Sequence, residues 1–220
     1  MKKDKVVLFD IDYTLFDVRR FRYRLYQTIA DLLNYNPAHL RKIGKVIFEQ
    51  VRAQTGYFQP EIFISRLLKS LNRQKEEQLV LKAVFAESNF PHELFYKEVK
   101  SVLQELSNGA WLGIFSRGYG LLQRGKLATI AHLLKKEHIH ITLNKEQSLP
   151  KLLQKYKDRR LYLIDDALGV LYQAKKLDKN IFTIWVRRGR FAKNQKEIAG
   201  FAPDAQVFNL KRVVKLVEKN

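Results

Sequence analysis

Short apolar runs recur along the chain, separated by longer stretches of helical periodicity. Val6-Val7-Leu8-Phe9, Ala110-Trp111-Leu112-Gly113-Ile114-Phe115, Leu161-Tyr162-Leu163-Ile164 and Ile181 to Val186 are nearly continuous in apolar residues and rich in Val, Ile and aromatics. Such runs predict strands of a parallel sheet buried on both faces. His138 to Leu143 alternates enough to add a strand, and Pro203 to Phe208 a short last one. From Val18 to about Phe95 the pattern is different. Phe21, Leu25, Ile29, Leu32 and Leu33 recur at helical spacing, then Leu40, Ile43, Ile47 and Val51, then Phe63, Leu67, Leu68 and Leu71. Asn36-Pro37 and Gly56 to Pro60 break these runs, and Gln78 to Glu87 predicts a fourth helix. Further helices are predicted over 91–106, 148–156, 168–177 and 210–217. The alternation predicts an α/β protein with a doubly wound, Rossmann-like parallel sheet formed by residues 1–17 and 96–220. Residues 18–95 are expected to form an inserted α-helical domain.

Polar residues cluster where the predicted strands end. The first run leads into Asp10-Ile11-Asp12-Tyr13-Thr14-Leu15-Phe16-Asp17, and the strand at 161–164 into Asp165-Asp166. The carboxyl edge of a parallel sheet is where open α/β folds keep their ligands. Two carboxylates as close as Asp10 and Asp12 raise each other's pKa unless a cation or hydrogen bonds offset the repulsion. One reading makes Asp10 a nucleophile and Mg²⁺ ligand, Asp12 a general acid/base, and Thr14 a loop-orienting residue that binds a phosphate oxygen; hard oxygen ligands suit Mg²⁺. The other reading is an acidic turn with an Asp capping the next helix. Ser116-Arg117-Gly118 closes the strand at 110–115. A hydroxyl there, with the backbone N–H groups that follow, suits a phosphoryl oxygen.

The segment from Asp10 to Asp17 resembles the DxDxT motif of the haloacid dehalogenase superfamily of phosphotransferases. Ser116-Arg117-Gly118, with Gln123 and Lys126-Leu127, resembles the second motif and the helix after it in relatives reading Thr-Asn-Gly; Arg for Asn is a departure. Lys145, twenty residues before Asp165, matches the third motif better than Lys151, which leaves too little chain for a helix and a loop. Asp165-Asp166 resembles the fourth motif in its Asp-Asp form. Relatives often carry a further acid four or five residues on; Val170 and Leu171 stand there, so Asp165 would fill that role.

The resemblance implies a Mg²⁺-dependent phosphatase that forms an aspartyl-phosphate, with Asp10, Asp12 and Lys145 catalytic. Thr14, Ser116, Arg117 and Gly118 would bind the substrate phosphate. Asp10, Asp12, Asp165 and Asp166 would form the metal site, with Asp166 a direct ligand and Asp165 behind it or acting through water. The helical insertion resembles a cap of the first class. Asp12 argues against dehalogenase chemistry, because dehalogenase relatives lack that acid, and the lean is toward a small phosphorylated metabolite or nucleotide as substrate.

Composition limits the alternatives. The chain of 220 residues has no Cys, which excludes disulfides and thiolate metal sites. No apolar run approaches the ~18 residues of a membrane span. The charged opening Met1 to Lys5 lacks the apolar segment of a signal peptide, so a cytoplasmic protein is expected. The net charge of +19 is the unusual feature, divided as −1 over residues 1–17, +6 over 18–95 and +14 over 96–220. Such a field attracts anions from phosphometabolites to nucleic acid. It keeps open a nucleic-acid-associated protein or a catalytically silent regulator, although no RNA-recognition motif or zinc finger is present. Arg187 to Lys196 holds five cations at the end of a predicted strand, suited to a large anionic substrate or to solvent alike.

Overall fold

The computed structural model describes residues 4–189 and 194–219. Arg190 to Lys193, in the middle of the basic segment, and Met1 to Lys3 lie outside the described residues.

Six strands form one sheet: β1 (Lys5–Phe9), β2 (Ala110–Arg117), β3 (Ile139–Thr142), β4 (Arg160–Asp165), β5 (Phe182–Val186) and β6 (Ala205–Val207). Their order is β3-β2-β1-β4-β5-β6, and every pairing is parallel. The first strand in sequence therefore sits near the middle, with the strand order reversing beside it. The apolar runs are the strands because both faces of this sheet are covered: Val6, Val7, Leu8 and Phe9 are all buried, as are Leu161 to Asp165. On one face Val6, Leu8, Leu161 and Leu163 pack with Leu149, Leu153, Leu168 and Leu171.

The helices are α1 (Val18–Leu33), α2 (Pro37–Thr55), α3 (Pro60–Ser70), α4 (Glu77–Phe85), α5 (Val99–Leu106), α6 (Gly120–Leu127), α7 (Lys145–Lys155), α8 (Leu168–Leu177) and α9 (Lys211–Lys219). The chain divides into two compact units. One holds residues 1–17, 95–117 and 130–220, including the sheet; the other holds 18–94 and 118–129. The helical unit has its own core, in which Leu25, Ile29, Phe48, Phe63, Leu67 and Val80 are buried together. Asn36 caps α2 by accepting the N–H groups of Ala38 and His39, with Pro37 in the first turn, as the break in periodicity predicts. Among the described residues no helix is long and apolar enough to cross a membrane.

Three local expectations are corrected. Residues 91–106 are not one helix: a single 3₁₀ turn spans His92–Leu94, Phe95 bridges Phe16, and only Val99–Leu106 is α-helical. The apolar residues before Val99 are used to close the turn after β1, not to line a helix face. Helix α7 begins at Lys145, ahead of the Ser148 start expected, because Asn144 caps it by accepting the Gln147 N–H. Residues 118–129, expected with the sheet, group with the helical unit.

Gly113 in β2 is required by its neighbours. A Cβ there would run into the backbone carbonyl of His138 and come within 2.8 Å of the Leu8 side chain. Gly113→Ala is expected to lower stability by about 1–3 kcal/mol in urea unfolding, the usual cost of overpacking a core. Gly109→Ala, where nothing lies within 4 Å, serves as the control and should leave the midpoint nearly unchanged. Equal stability of the two variants would contradict this packing.

Candidate active site

The register of the sheet brings the polar ends of three strands to one edge. Phe9 pairs with Ile114 on one side and Ile164 on the other, so Asp10, Ser116 and Asp165 converge at the carboxyl ends of neighbouring strands. Asp10 leaves β1 with its N–H donating to the Ile164 carbonyl at 2.8 Å. The chain then closes a tight turn: Leu15 and Phe16 both donate to the Ile11 carbonyl, and Tyr13 donates to Phe16. Tyr13 takes a left-handed conformation, φ 63°, in this turn. Gly189, also at positive φ, lies against the Tyr13 ring, and a Cβ on it would come within 2.6 Å of that ring.

Lys145 stands at the first position of α7 and is 3% exposed. Its ammonium donates to Asp10 Oδ1 and to Asp165 Oδ2, each at 2.6 Å. The Ser116 hydroxyl donates to the same Asp10 Oδ1 at 3.0 Å. Both hydrogen bonds thus fall on one oxygen of Asp10, and Oδ2 carries neither. Asp165 is fully engaged, its other oxygen accepting the Ala167 N–H at 2.8 Å. Asp166 is the reverse: it is buried, and its Oδ2 has no hydrogen-bond partner. Its backbone is held firmly, since the Trp185 indole and the Gln195 amide both donate to its carbonyl, at 3.0 and 2.6 Å. Gln195 also accepts the Leu168 N–H at 2.6 Å, capping α8.

Oxygens of Asp10, Asp165 and Asp166 lie within 4.8 Å of one another. Three buried carboxylates against one ammonium leave an excess of two negative charges. Burial pushes Asp10 up to about 7, opposed by Lys145 and reinforced by Asp165 and Asp12. Burial likewise raises Asp166 well above the usual carboxylate range, with Asp10 and Asp165 adding to it. For Lys145 burial works against the charge, and the attraction of Asp10 and Asp165 outweighs it, so the ammonium is held protonated. A divalent cation matches this site in charge, in its all-oxygen donors and in the one buried oxygen that lacks a partner.

The other predicted residues are placed as follows. The carboxylate of Asp12 is not among those three, although it is near enough to raise Asp10 and Asp166. Thr14 is wholly buried, and its hydroxyl has no hydrogen-bond partner among the described residues. The Arg117 guanidinium forms an exposed ion pair with both oxygens of Glu146, at 2.7 and 2.8 Å. Gly118 falls in the helical unit at φ 149°, where a Cβ would meet the Gln123 side chain at 2.7 Å. In the basic segment, Arg188 is buried, paired with Glu98 at 2.6 Å and stacked over Tyr96 at 4.1 Å, so it belongs to the packing. Sequence reading missed Gln195 and Trp185. Neither stands in a motif, and only an amide that caps a helix across 27 residues of chain would have exposed the first.

Several solved structures align over nearly the whole chain. A haloacid dehalogenase-like hydrolase from Burkholderia xenovorans aligns over 99% of this chain and 98% of its own, at 23% identity and TM-score 0.79. The HAD-hydrolase YfnB from Bacillus subtilis, bound to magnesium, aligns over 98% and 99% at 14% identity and TM-score 0.67. The chain has the haloacid dehalogenase fold. The defluorinating L-2-haloacid dehalogenase Rha0230 shares the fold too, over 97% of this chain and 95% of its own, at 12% identity and TM-score 0.70. No protein-family model and no curated protein matches. The haloacid dehalogenase fold alone therefore leaves the reaction to be argued from the site.

The excess charge sets a pH dependence. A carboxyl group whose pKa is raised on folding binds its proton more tightly in the native state, so stability is full at low pH and falls as pH rises through the native pKa. In EDTA the thermal midpoint should therefore decline between about pH 4 and 7, the window of Asp10. Asp166→Asn should raise the midpoint at pH 8 and flatten that decline. A midpoint that climbs over this range in wild type would contradict the charge balance.

Proposed function

We propose that this chain is a Mg²⁺-dependent phosphatase that hydrolyses a phosphomonoester through an aspartyl-phosphate on Asp10. The observation that carries the reading is the buried cluster of Asp10, Asp165 and Asp166 around one ammonium, two charges short of neutrality and with one unpartnered oxygen. Asp10 and Asp166 would hold Mg²⁺ directly, and Asp165, whose oxygens Lys145 and Ala167 occupy, would act from behind them. Bound Mg²⁺ would neutralise charge on the transferring phosphoryl group.

The chain's own groups divide the work. Lys145 and Ser116 fix Asp10 through Oδ1, which turns the other oxygen to the phosphorus. That oxygen forms the new bond to phosphorus as the ester oxygen departs, and Asp12 gives the departing oxygen its proton. Water then attacks the aspartyl-phosphate, Asp12 takes a proton from it, and inorganic phosphate and free Asp10 result. Asp12 suits this shuttle because its carboxylate is not among the three clustered ones that would hold the metal. Lys145, held protonated throughout, offsets the charge that accumulates. Asp12 also weighs against dehalogenation: a halide departs without a proton, whereas an alkoxide needs one. The helical unit is proposed to set specificity for a small phosphorylated metabolite or nucleotide.

Phosphate release from a panel of phosphometabolites should require Mg²⁺ and stop in EDTA. Asp10→Asn should reduce it on the order of 10³-fold or more, as loss of a nucleophile does. Asp12→Asn should cost about 10²–10⁴-fold, the usual worth of a general acid/base. Chloride release from 2-chloropropionate with no phosphate release from any ester would reject the reading.

A further inference from the structure

The helical unit carries most of its net charge on one hairpin, with +2 more on residues 118–129. Residues 18–55, which make up the α1–α2 hairpin, hold eight Lys/Arg against two Asp/Glu, a net +6. Residues 56–94, which complete the unit's main segment, hold five of each and are neutral. A merely solvated surface has no need of such a division. The hairpin cations are six Arg and two Lys, and Arg is the residue suited both to bidentate phosphate contact and to stacking on rings.

The two helices share an outer surface. They pack closely because Gly44 of α2 lies against the Tyr26 ring of α1, where a side chain would collide. The Arg41 guanidinium of α2 sits over the Tyr23 ring of α1 at 5.2 Å, so the exposed faces of both helices meet there. Tyr23 is 58% exposed, and Arg41, Lys42 and Lys45 beside it on α2 are exposed as well. Arg22 and Arg52 both lie over Phe48, at 5.0 and 5.9 Å, which extends the same surface toward the far end of the hairpin. At 1.5 Å per residue the helices run about 24 and 28 Å, the reach of several nucleotides.

We propose that the outer face of the α1–α2 hairpin binds nucleic acid, its phosphates held by Arg41, Lys42 and Lys45 and a base stacked on Tyr23. An exposed ring beside a guanidinium is what an unpaired base needs. An anionic membrane fits less well. A helix lying in a bilayer surface presents a row of large apolar side chains, whereas here Tyr23, Leu32 and Val46 are the only large apolar side chains of α1 and α2 that stand exposed.

The test is fluorescence anisotropy of the full-length chain with a labelled single-stranded oligonucleotide of about 20 nucleotides, over about 50–300 mM KCl. Wild type should bind with a steep salt dependence. The triple variant Arg41→Gln, Lys42→Gln, Lys45→Gln should bind at least about tenfold more weakly, with a slope shallower by about 2, at roughly 0.7 per phosphate lost. The control triple Lys69→Gln, Lys75→Gln, Lys82→Gln removes equal charge from exposed positions of the neutral half and should change affinity less than about twofold. Tyr23→Ala should weaken binding about fivefold or more without altering the slope. Equal losses in the two triples would overturn the proposal, because attraction by net charge alone would then suffice. So would failure of wild type to bind at low salt, or its capture by phosphatidylserine vesicles in place of the oligonucleotide.

Discussion

The ammonium of Lys145 between Asp10 and Asp165 is the contact on which the site depends. It is unfavourable by local rules. A cation in the first turn of α7 opposes the helix dipole, and a Lys almost wholly shut off from water loses its hydration. Two hydrogen-bonded carboxylates at 2.6 Å offset both costs. Those carboxylates in turn tolerate burial only because the ammonium is there. The arrangement is mutually enforced, and removing the ammonium leaves the buried carboxylates with no compensating charge. Since Asp10 follows β1, Asp165 ends β4 and Lys145 opens α7, the triad also ties the start of α7, whose Leu149 and Leu153 pack on these strands, to the middle of the sheet.

Topology supplies the precision. In a parallel sheet with β1 between β2 and β4, three strand ends fall side by side whatever the loops do. Ser116 and Asp165 then approach Asp10 from opposite sides with no long side chain involved. The structure spends its secondary hydrogen bonds on the one residue this register cannot place by itself. Asp166 lies past the end of β4, and Trp185 and Gln195 hold its carbonyl while its buried carboxylate keeps Oδ2 without a partner.

How much of this the sequence reveals follows from how far each interaction reaches along the chain. The strands were legible because burial on both faces leaves unbroken apolar runs, and Asp10, Ser116 and Asp165 were legible because each stands at the end of such a run. Lys145 was found by its distance from Asp165, but its position as the first residue of α7 was not, because Asn144 capping starts the helix earlier than apolar periodicity suggests. Gln195 was invisible: its two hydrogen bonds join residues 27 and 29 positions apart and leave no local pattern. Residues 91–98 misled for the opposite reason. Their apolar spacing resembles a helix, yet Phe95 is spent on bridging Phe16, where its ring meets the Phe16 ring edge-on at 5.5 Å. Thr14 fits the motif and is wholly buried, and its hydroxyl is left without a partner beneath the same strand end.

The charges of the chain pull in two directions that distance reconciles. A protein of net +19 repels a divalent cation and attracts a phosphate ester, yet its central site is short of positive charge. At physiological salt the surface charges act over about 8 Å, so beyond that range they guide anions without deciding what the buried carboxylates hold. Within the site the carboxylates lie less than 5 Å apart in a medium that screens poorly, and their mutual repulsion dominates. The surface field and the site can therefore be tuned separately.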